Sequence, residues 1–386
     1  MKVLLGGIPL GCDNIGDEAI IACVVKMLKA SLPDVELTVA TADPATAARL
    51  GVAVVPPYGF AGCGLEGFAE TVRRQDAYVW CGATGLSDYP SVALDLLKVA
   101  QEAGVPTFVW GVGMDDELNP VFFKASGKKR LLLSLFGLVG WYERRLRAKL
   151  ARRISTILSL CRGVWLRDPE SARMLATMGF PNAGIAADTA ILLGEEGRGK
   201  REEGKGKGEK GKGKRDEGTL GLCISTQRPV SDLEGLKKMI AAVRAAGAQV
   251  LGIPMNPKTD RALLERLGVE CIAGDTPEAV IEAAAGCSVV LSSRLHLLIL
   301  AANVGTPILG IARGSKLANW LANFGRTVEG SVSDCDWEKV TEHVLDALKD
   351  RGDWDAVRAA AYERLNARFE TARAEFIKGL EGCHGR

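Results

Sequence analysis

Short apolar runs alternate along this chain with longer stretches of helical periodicity. In the first half the runs are Lys2–Gly6, Glu36–Ala40, Ala53–Val55, Ala77–Cys81, Thr107–Gly111, Gly163–Leu166 and Gly184–Ala187. Helical patterns separate them at Asp17–Ala30, Leu65–Arg74, Ser91–Ala103, Val121–Leu160 and Pro169–Met178. The alternation restarts later, with strands predicted at Leu220–Ser225, Gln249–Ile253, Glu270–Ile272, Ser288–Leu291 and Pro307–Gly310. Helices are predicted there at Asp232–Ala245, Asp260–Leu267, Pro277–Ala285, Leu295–Ala302, Trp337–Leu348 and Trp354–Ile377. Continuous apolar strands alternating with helices are the signature of parallel sheets covered on both faces. The expected fold is therefore α/β, with two Rossmann-like doubly wound domains spanning 1–193 and 219–386, the second ending in helices.

The segment between them has another composition. Residues 194–218 contain 9 Lys/Arg, 7 Asp/Glu and 9 Gly and nothing else. Such a segment has no apolar surface to bury, so it is expected to be a disordered linker or insertion. It carries the whole formal charge of +2, since 49 Lys+Arg oppose 47 Asp+Glu over the 386 residues. One other block stands out: Lys124 to Arg153 holds 10 Lys/Arg and a single acid, Glu143. Charge thus marks a local basic face and not a nucleic-acid-binding protein.

The ten cysteines include no CxxC pair, and Cys81, Cys223 and Cys287 lie in apolar runs, as reduced core thiols do. With three histidines (His296, His343, His384) and no Asp/His cluster, no metal site is indicated. The start MKVLLGGIPLGCDN reads as a first strand, not a signal peptide. The apolar run Leu295 to Ala312 is broken by His296, Asn303, Gly305, Thr306 and Pro307, so it reads as a buried helix and strand, not a membrane span. These features point to a cytoplasmic protein.

Four motifs stand at predicted strand ends, where open α/β sheets bind ligands. Gly11-Cys12-Asp13-Asn14-Ile15-Gly16-Asp17-Glu18 joins the first strand to a helix. Asn14 or Asp17 can cap that helix, and Gly11 and Gly16 allow close approach of the backbone. Gly82-Ala83-Thr84-Gly85-Leu86-Ser87-Asp88 suits either a ligand loop or a structural turn. In Arg167-Asp168-Pro169, Asp168 and Pro169 read as a helix start, and Arg167 can pair with Asp168 or grip an anion. In Ser292-Ser293-Arg294-Leu295-His296, a cation and an imidazole interrupt the junction of a buried strand and an apolar helix. Arg294, His296 and the free helix N–H groups can form an anion site placed for proton transfer, or His296 can be a hydrogen-bonded core residue. Arg313 and Lys316 follow at the next strand end.

Asn14-Ile15-Gly16-Asp17-Glu18, Arg167-Asp168 and Arg294-Leu295-His296, in this order, resemble the polysaccharide pyruvyl transferase family. That resemblance implies a fold like GT-B glycosyltransferases, with two Rossmann-like domains facing a cleft. It implies transfer of a pyruvyl group from phosphoenolpyruvate onto a sugar of a cell-surface polysaccharide or its precursor, as a ketal. Phosphoenolpyruvate would be the donor substrate, with no cofactor or metal, and a sugar or lipid-linked oligosaccharide the acceptor. His296 and Asp17 would be catalytic. Arg294, Arg167, Lys316, Asn14, Gly16, Gly82 and Arg228, the last in Ser225-Thr226-Gln227-Arg228, would contact substrate. Where the family has Tyr-Asp-Pro-Lys, this chain has Ala312-Arg313-Gly314-Ser315-Lys316, so the lysine persists. A GT-B glycosyltransferase using a nucleotide sugar and a non-catalytic sugar-binding member are the alternatives.

The basic block surrounds the apolar, aromatic run Leu131 to Tyr142. It reads either as a long helix with a solvated basic face or as a peripheral contact with the inner face of a membrane through 124–153.

Overall fold

The computed structural model describes residues 1–116, 118–194, 218–226 and 230–383. The Gly/charge segment, apart from its end residues, lies outside the described residues, and so does Arg228. The chain sorts into two compact units. One comprises Met1–Cys12, Ile20–Thr189 and Leu365–Arg386, the other Asp13–Ala19 and Ala190–Arg364.

The first unit holds a sheet of β1 (Lys2–Gly6), β2 (Glu36–Ala40), β3 (Ala53–Val55), β4 (Ala77–Cys81), β5 (Thr107–Val112), β6 (Gly163–Leu166) and β7 (Gly184–Ile185). Their order is β3-β2-β1-β4-β5-β6-β7. Every pairing is parallel, with Leu5 opposite Val39 on one side and Val79 on the other. All five residues of β4 and all six of β5 are buried, which is why their sequences show no polar alternation. The helices are α1 (Ile15–Ser31), whose start up to Ala19 belongs to the second unit, α2 (Pro44–Leu50), α3 (Phe68–Arg73), α4 (Gly85–Asp88), α5 (Pro90–Glu102), α6 (Pro120–Phe123), α7 (Gly127–Leu135), α8 (Val139–Leu158) and α9 (Pro169–Thr177). The single helix expected over Val121–Leu160 is thus three. Gly137 (φ 65°) adopts left-handed backbone just past α7, which ends a right-handed helix, and α7 itself opens at Gly127 (φ 54°).

The second unit repeats the plan with β8 (Thr219–Cys223), β9 (Gln249–Gly252), β10 (Glu270–Cys271), β11 (Val289–Ser292), β12 (Ile308–Ala312) and β13 (Gly330–Ser331). Its order is β10-β9-β8-β11-β12-β13, again parallel. Its helices are α10 (Leu233–Ala245), α11 (Thr259–Arg266), α12 (Pro277–Gly286), α13 (Leu295–Asn303), α14 (Ser315–Ala322), α15 (Trp337–Lys349) and the first part of α16 (Trp354–Glu381). The last part of α16 belongs to the first unit, where Phe376 stacks on Trp110 with ring centroids 4.7 Å apart. Both sheets are doubly wound, with the strand order reversing between β1 and β4 and between β8 and β11. Such reversal points open a crevice at the carboxyl ends of the strands. Among the described residues, no helix is long and apolar enough to cross a membrane.

Candidate functional site

The second unit gathers one constellation at its reversal point. Strand β11 ends in Ser292, and the chain turns through Ser293 and Arg294 into α13. Ser292 Oγ accepts the Arg294 N–H at 2.8 Å, and Ser293 Oγ accepts the Ser225 N–H at 2.7 Å, tying the ends of β11 and β8 together. From Leu297 to Asn303 the helix is buried all round, so an amphipathic pattern would be out of place. His296 sits in its first turn.

The start of α1 packs against that turn. Asn14 caps it, accepting the Gly16 N–H at 3.2 Å through its side chain and the Asp17 N–H at 3.0 Å through its carbonyl. The Ile15 N–H donates to the Met255 carbonyl at 3.0 Å, a bond within the second unit. Gly16 is where the imidazole fits: a Cβ there would lie 2.2 Å from His296 Nδ1 and 2.9 Å from His296 Cβ. The requirement for glycine is therefore steric and comes from the histidine.

Asp17 follows, only 3% exposed. Burial pushes its carboxyl up to about 6, against the attraction of His296, a hydrogen bond from Asn14 and the attraction of Lys316, and with help from Glu18. The Asn14 amide donates to Asp17 Oδ2 at 2.8 Å. The charge of Lys316, in the first turn of α14, is felt at this carboxyl. The structure so brings Asn14, Gly16, Asp17, His296 and Lys316 together, with a carboxyl able to exchange its proton near neutral pH.

Arg294 lies beside this group, and its guanidinium closes on Asp260. Its Nε and Nη2 donate to the two carboxylate oxygens at 2.9 and 2.7 Å. Asp260 is fully buried and also accepts the Asn256 N–H at 2.9 Å. Arg294, expected to contact substrate, thus directs a bidentate grip onto a protein carboxylate. Sequence reasoning assigned Asp260 no role beyond opening a helix. The usable signal was the cost of burying Arg294, which demands a buried partner. Arg313 likewise donates to Ser225 Oγ at 2.8 Å.

Arg167 and Gly82 lie in the first unit. Arg167, at the end of β6, donates from Nε to Asp168 Oδ2 at 3.1 Å, and its Nη1 lies 3.8 Å from Asp188 Oδ2. Burial opposes its charge, but Asp168, Asp188 and Asp115 outweigh burial and raise the guanidinium above its ordinary range. Gly113 makes room for it, since a Cβ there would meet Nη2 at 2.5 Å. Asp168 also caps α9 by accepting the Ser171 N–H at 2.7 Å. Gly82, at φ 75°, turns the chain after β4 where a Cβ would strike Ile20 at 2.5 Å.

A separate cavity of about 580 Å³ in the second unit is lined by Val289, Pro307, Arg326, Glu329, His343 and Asp350, among others. Val289 and Pro307 mark the amino ends of β11 and β12, the opposite ends from Arg294 and His296. Arg294 and His296 therefore do not line this cavity.

Comparison with known proteins places this geometry in context. The family model described as polysaccharide pyruvyl transferase matches residues 14–315. No curated protein matches the chain by sequence. Among solved structures, HepE of Anabaena in complex with UDP and glucose aligns with a TM-score of 0.58 at 11% identity, over 98% of this chain and 99% of that one. The UDP-GlcNAc 2-epimerase of Neisseria meningitidis bound to UDP-GlcNAc aligns with a TM-score of 0.55 at 12% identity, over 99% and 100%. The glycotransferase of kitacinnamycin aligns with a TM-score of 0.56 at 13% identity, over 98% of each chain. At these identities the likeness is one of fold: two Rossmann-like domains, as in GT-B glycosyltransferases.

Proposed function

The chain belongs to the polysaccharide pyruvyl transferase family, and from that premise we propose that it transfers the pyruvyl group of phosphoenolpyruvate to two hydroxyls of a sugar, as a ketal. The observation that carries this reading is the seating of His296 over Gly16 beside a buried Asp17 raised to about 6, with Lys316 adjacent. Phosphoenolpyruvate brings a phosphate and a carboxylate, and Lys316 with the positive end of the α13 dipole offers positive charge to them.

In the proposed reaction His296 protonates the methylene carbon, which becomes the methyl group. The neighbouring carbon takes on oxocarbenium character. One sugar hydroxyl adds to it and loses its proton to a base, for which Asp17 is placed. The bond from that carbon to the phosphate oxygen breaks and inorganic phosphate leaves. The second hydroxyl then adds to the same carbon and gives up its proton. Ionised Asp17 also stabilises the cationic carbon. Arg294, held by Asp260, fixes the turn from which His296 projects.

The test is phosphate release from phosphoenolpyruvate across a panel of sugar and lipid-linked acceptors, with the ketal methyl group followed by NMR. Phosphate and ketal should appear in equal amounts, and His296→Ala should lower the rate by about 10²–10⁴-fold. Acceptor-independent phosphate release, or full activity of His296→Ala, would reject the assignment. The second reading, transfer from a nucleotide sugar, rests on fold likeness to proteins solved with UDP or a UDP-sugar. It requires turnover of a nucleotide sugar and none of phosphoenolpyruvate.

A further inference from the structure

Most of the large hydrophobic side chains that stand exposed among the described residues come from one stretch. They are Val121, Leu131, Leu132, Leu135, Phe136, Leu138 and Trp141, with only Val54 and Leu160 elsewhere. Phe136 is 70% exposed and Leu135 74%. No residue of α7 is buried. A concentrated apolar patch of this kind marks an interaction surface.

The patch is built, not frayed. Gly137 reverses the chain at φ 65°, and the Leu138 N–H donates to the Leu133 carbonyl at 2.8 Å across the turn. Helix α8 is rooted at its far end, where Leu150, Ile154, Ile157 and Leu158 are buried and Arg153 pairs with Asp95. Its near end, with Trp141, stands in solvent.

Cations accompany the apolar tip and continue along α8. Lys124, Lys128, Lys129, Arg130, Arg144, Arg145, Arg147, Lys149 and Arg152 are all exposed. The one acid, Glu143, accepts the Ala125 N–H at 3.2 Å. The Lys129 ammonium lies 4.1 Å from the centre of the Tyr142 ring, and the Arg145 guanidinium 5.4 Å from that of Trp141. Aromatic bodies beside cations suit the boundary between hydrocarbon and headgroups.

A partner for this surface must offer hydrocarbon and negative charge together. A second copy of the chain would bring one strongly basic face against another and be repelled. We propose that residues 124–153 dock the protein on an anionic lipid bilayer, with Leu135 and Phe136 entering the headgroup boundary and the surrounding cations meeting the phosphates. Each cation near such a surface strengthens binding roughly fivefold, less so as salt rises.

Co-sedimentation of the full chain with phosphatidylcholine vesicles, with and without phosphatidylglycerol, tests this. The protein should sediment with the anionic vesicles at low salt, stay in solution with phosphatidylcholine alone, and be released by high salt. Joint Lys128→Gln, Lys129→Gln and Arg130→Gln should weaken binding on the order of a hundredfold. Joint Leu135→Ser and Phe136→Ser should weaken it at least about tenfold. All five side chains are exposed, so an unchanged Tm verifies that the fold is intact. Failure to sediment with anionic vesicles at low salt, or variants that bind like the parent, would overturn the proposal. So would a solution dimer that Leu135→Ser with Phe136→Ser splits into monomers.

Discussion

Replacing Asp17 by asparagine should make the protein more stable at pH 8 while removing its activity. Burial raises this carboxyl from an ordinary 3.8 to about 6. A rise of about two pH units corresponds to roughly 3 kcal/mol between the two protonation states. Between about pH 4 and 6 the native protein holds the proton that the unfolded chain has lost, so stability falls as pH rises through that window. Above about pH 6 the ionised carboxylate costs the native state the full amount. Asparagine keeps the shape and can still accept from the Asn14 amide, now 2.8 Å from Asp17 Oδ2, but it cannot ionise. Urea unfolding should therefore show Asp17→Asn more stable than the parent by about 2–3 kcal/mol at pH 8, and equal to it near pH 4. At about 2–4 °C per kcal/mol, the Tm at pH 8 should rise by roughly 4–12 °C. Phosphate release should fall at least about a hundredfold. A variant less stable than the parent at pH 8, or a gain independent of pH, would refute the reasoning. A gain in stability from a loss of function is expected where a charge is held for chemistry.

Other consequences follow from the same geometry. Asp260→Ala should cost about 3–5 kcal/mol by denaturant titration, because Arg294 is left buried without its carboxylate, and combining it with Arg294→Met should recover much of that stability without restoring activity. An additive double mutant would mean that the bidentate pair is not coupled. Gly16→Ala should lower phosphate release at least about a hundredfold and cost about 1–3 kcal/mol, since the new methyl would crowd His296 up to its Cβ, 2.9 Å away, and rotating the ring cannot clear it. A fully active Gly16→Ala enzyme would show that the imidazole is not seated there. Arg167→Ala should destabilise by about 3–5 kcal/mol at neutral pH, and less in acid, because Asp168, Asp188 and Asp115 then lose the buried guanidinium whose charge they share. Chemical unfolding at pH 5 and pH 8 checks it.

The two sheets were legible because their central strands are covered on both faces, which leaves β4, β5 and β11 as unbroken apolar runs. Strand β13 was not legible, since Gly330 and Ser331 form a two-residue edge with no apolar signature. The breaks near Gly127 and Gly137 were hidden because apolar residues and cations continue on both sides of each. Within the site, each motif announced itself as a strand end carrying polar residues. What the sequence could not show is that the imidazole of His296 rests on Gly16, or that Asp17 rises because of burial. Both depend on two segments far apart in the chain meeting in one unit. Asp260 was silent for the same reason: an acid in the first turn of a helix is ordinary until Arg294 is found closing on it.

Calorimetric titration of the protein with phosphoenolpyruvate, beside a panel of UDP-sugars, tests the central claim most directly. Phosphoenolpyruvate should bind with measurable heat, Lys316→Ala should weaken that binding at least about tenfold, and UDP-sugars should give no saturable signal. Saturable binding of a UDP-sugar, with none of phosphoenolpyruvate, would contradict the account.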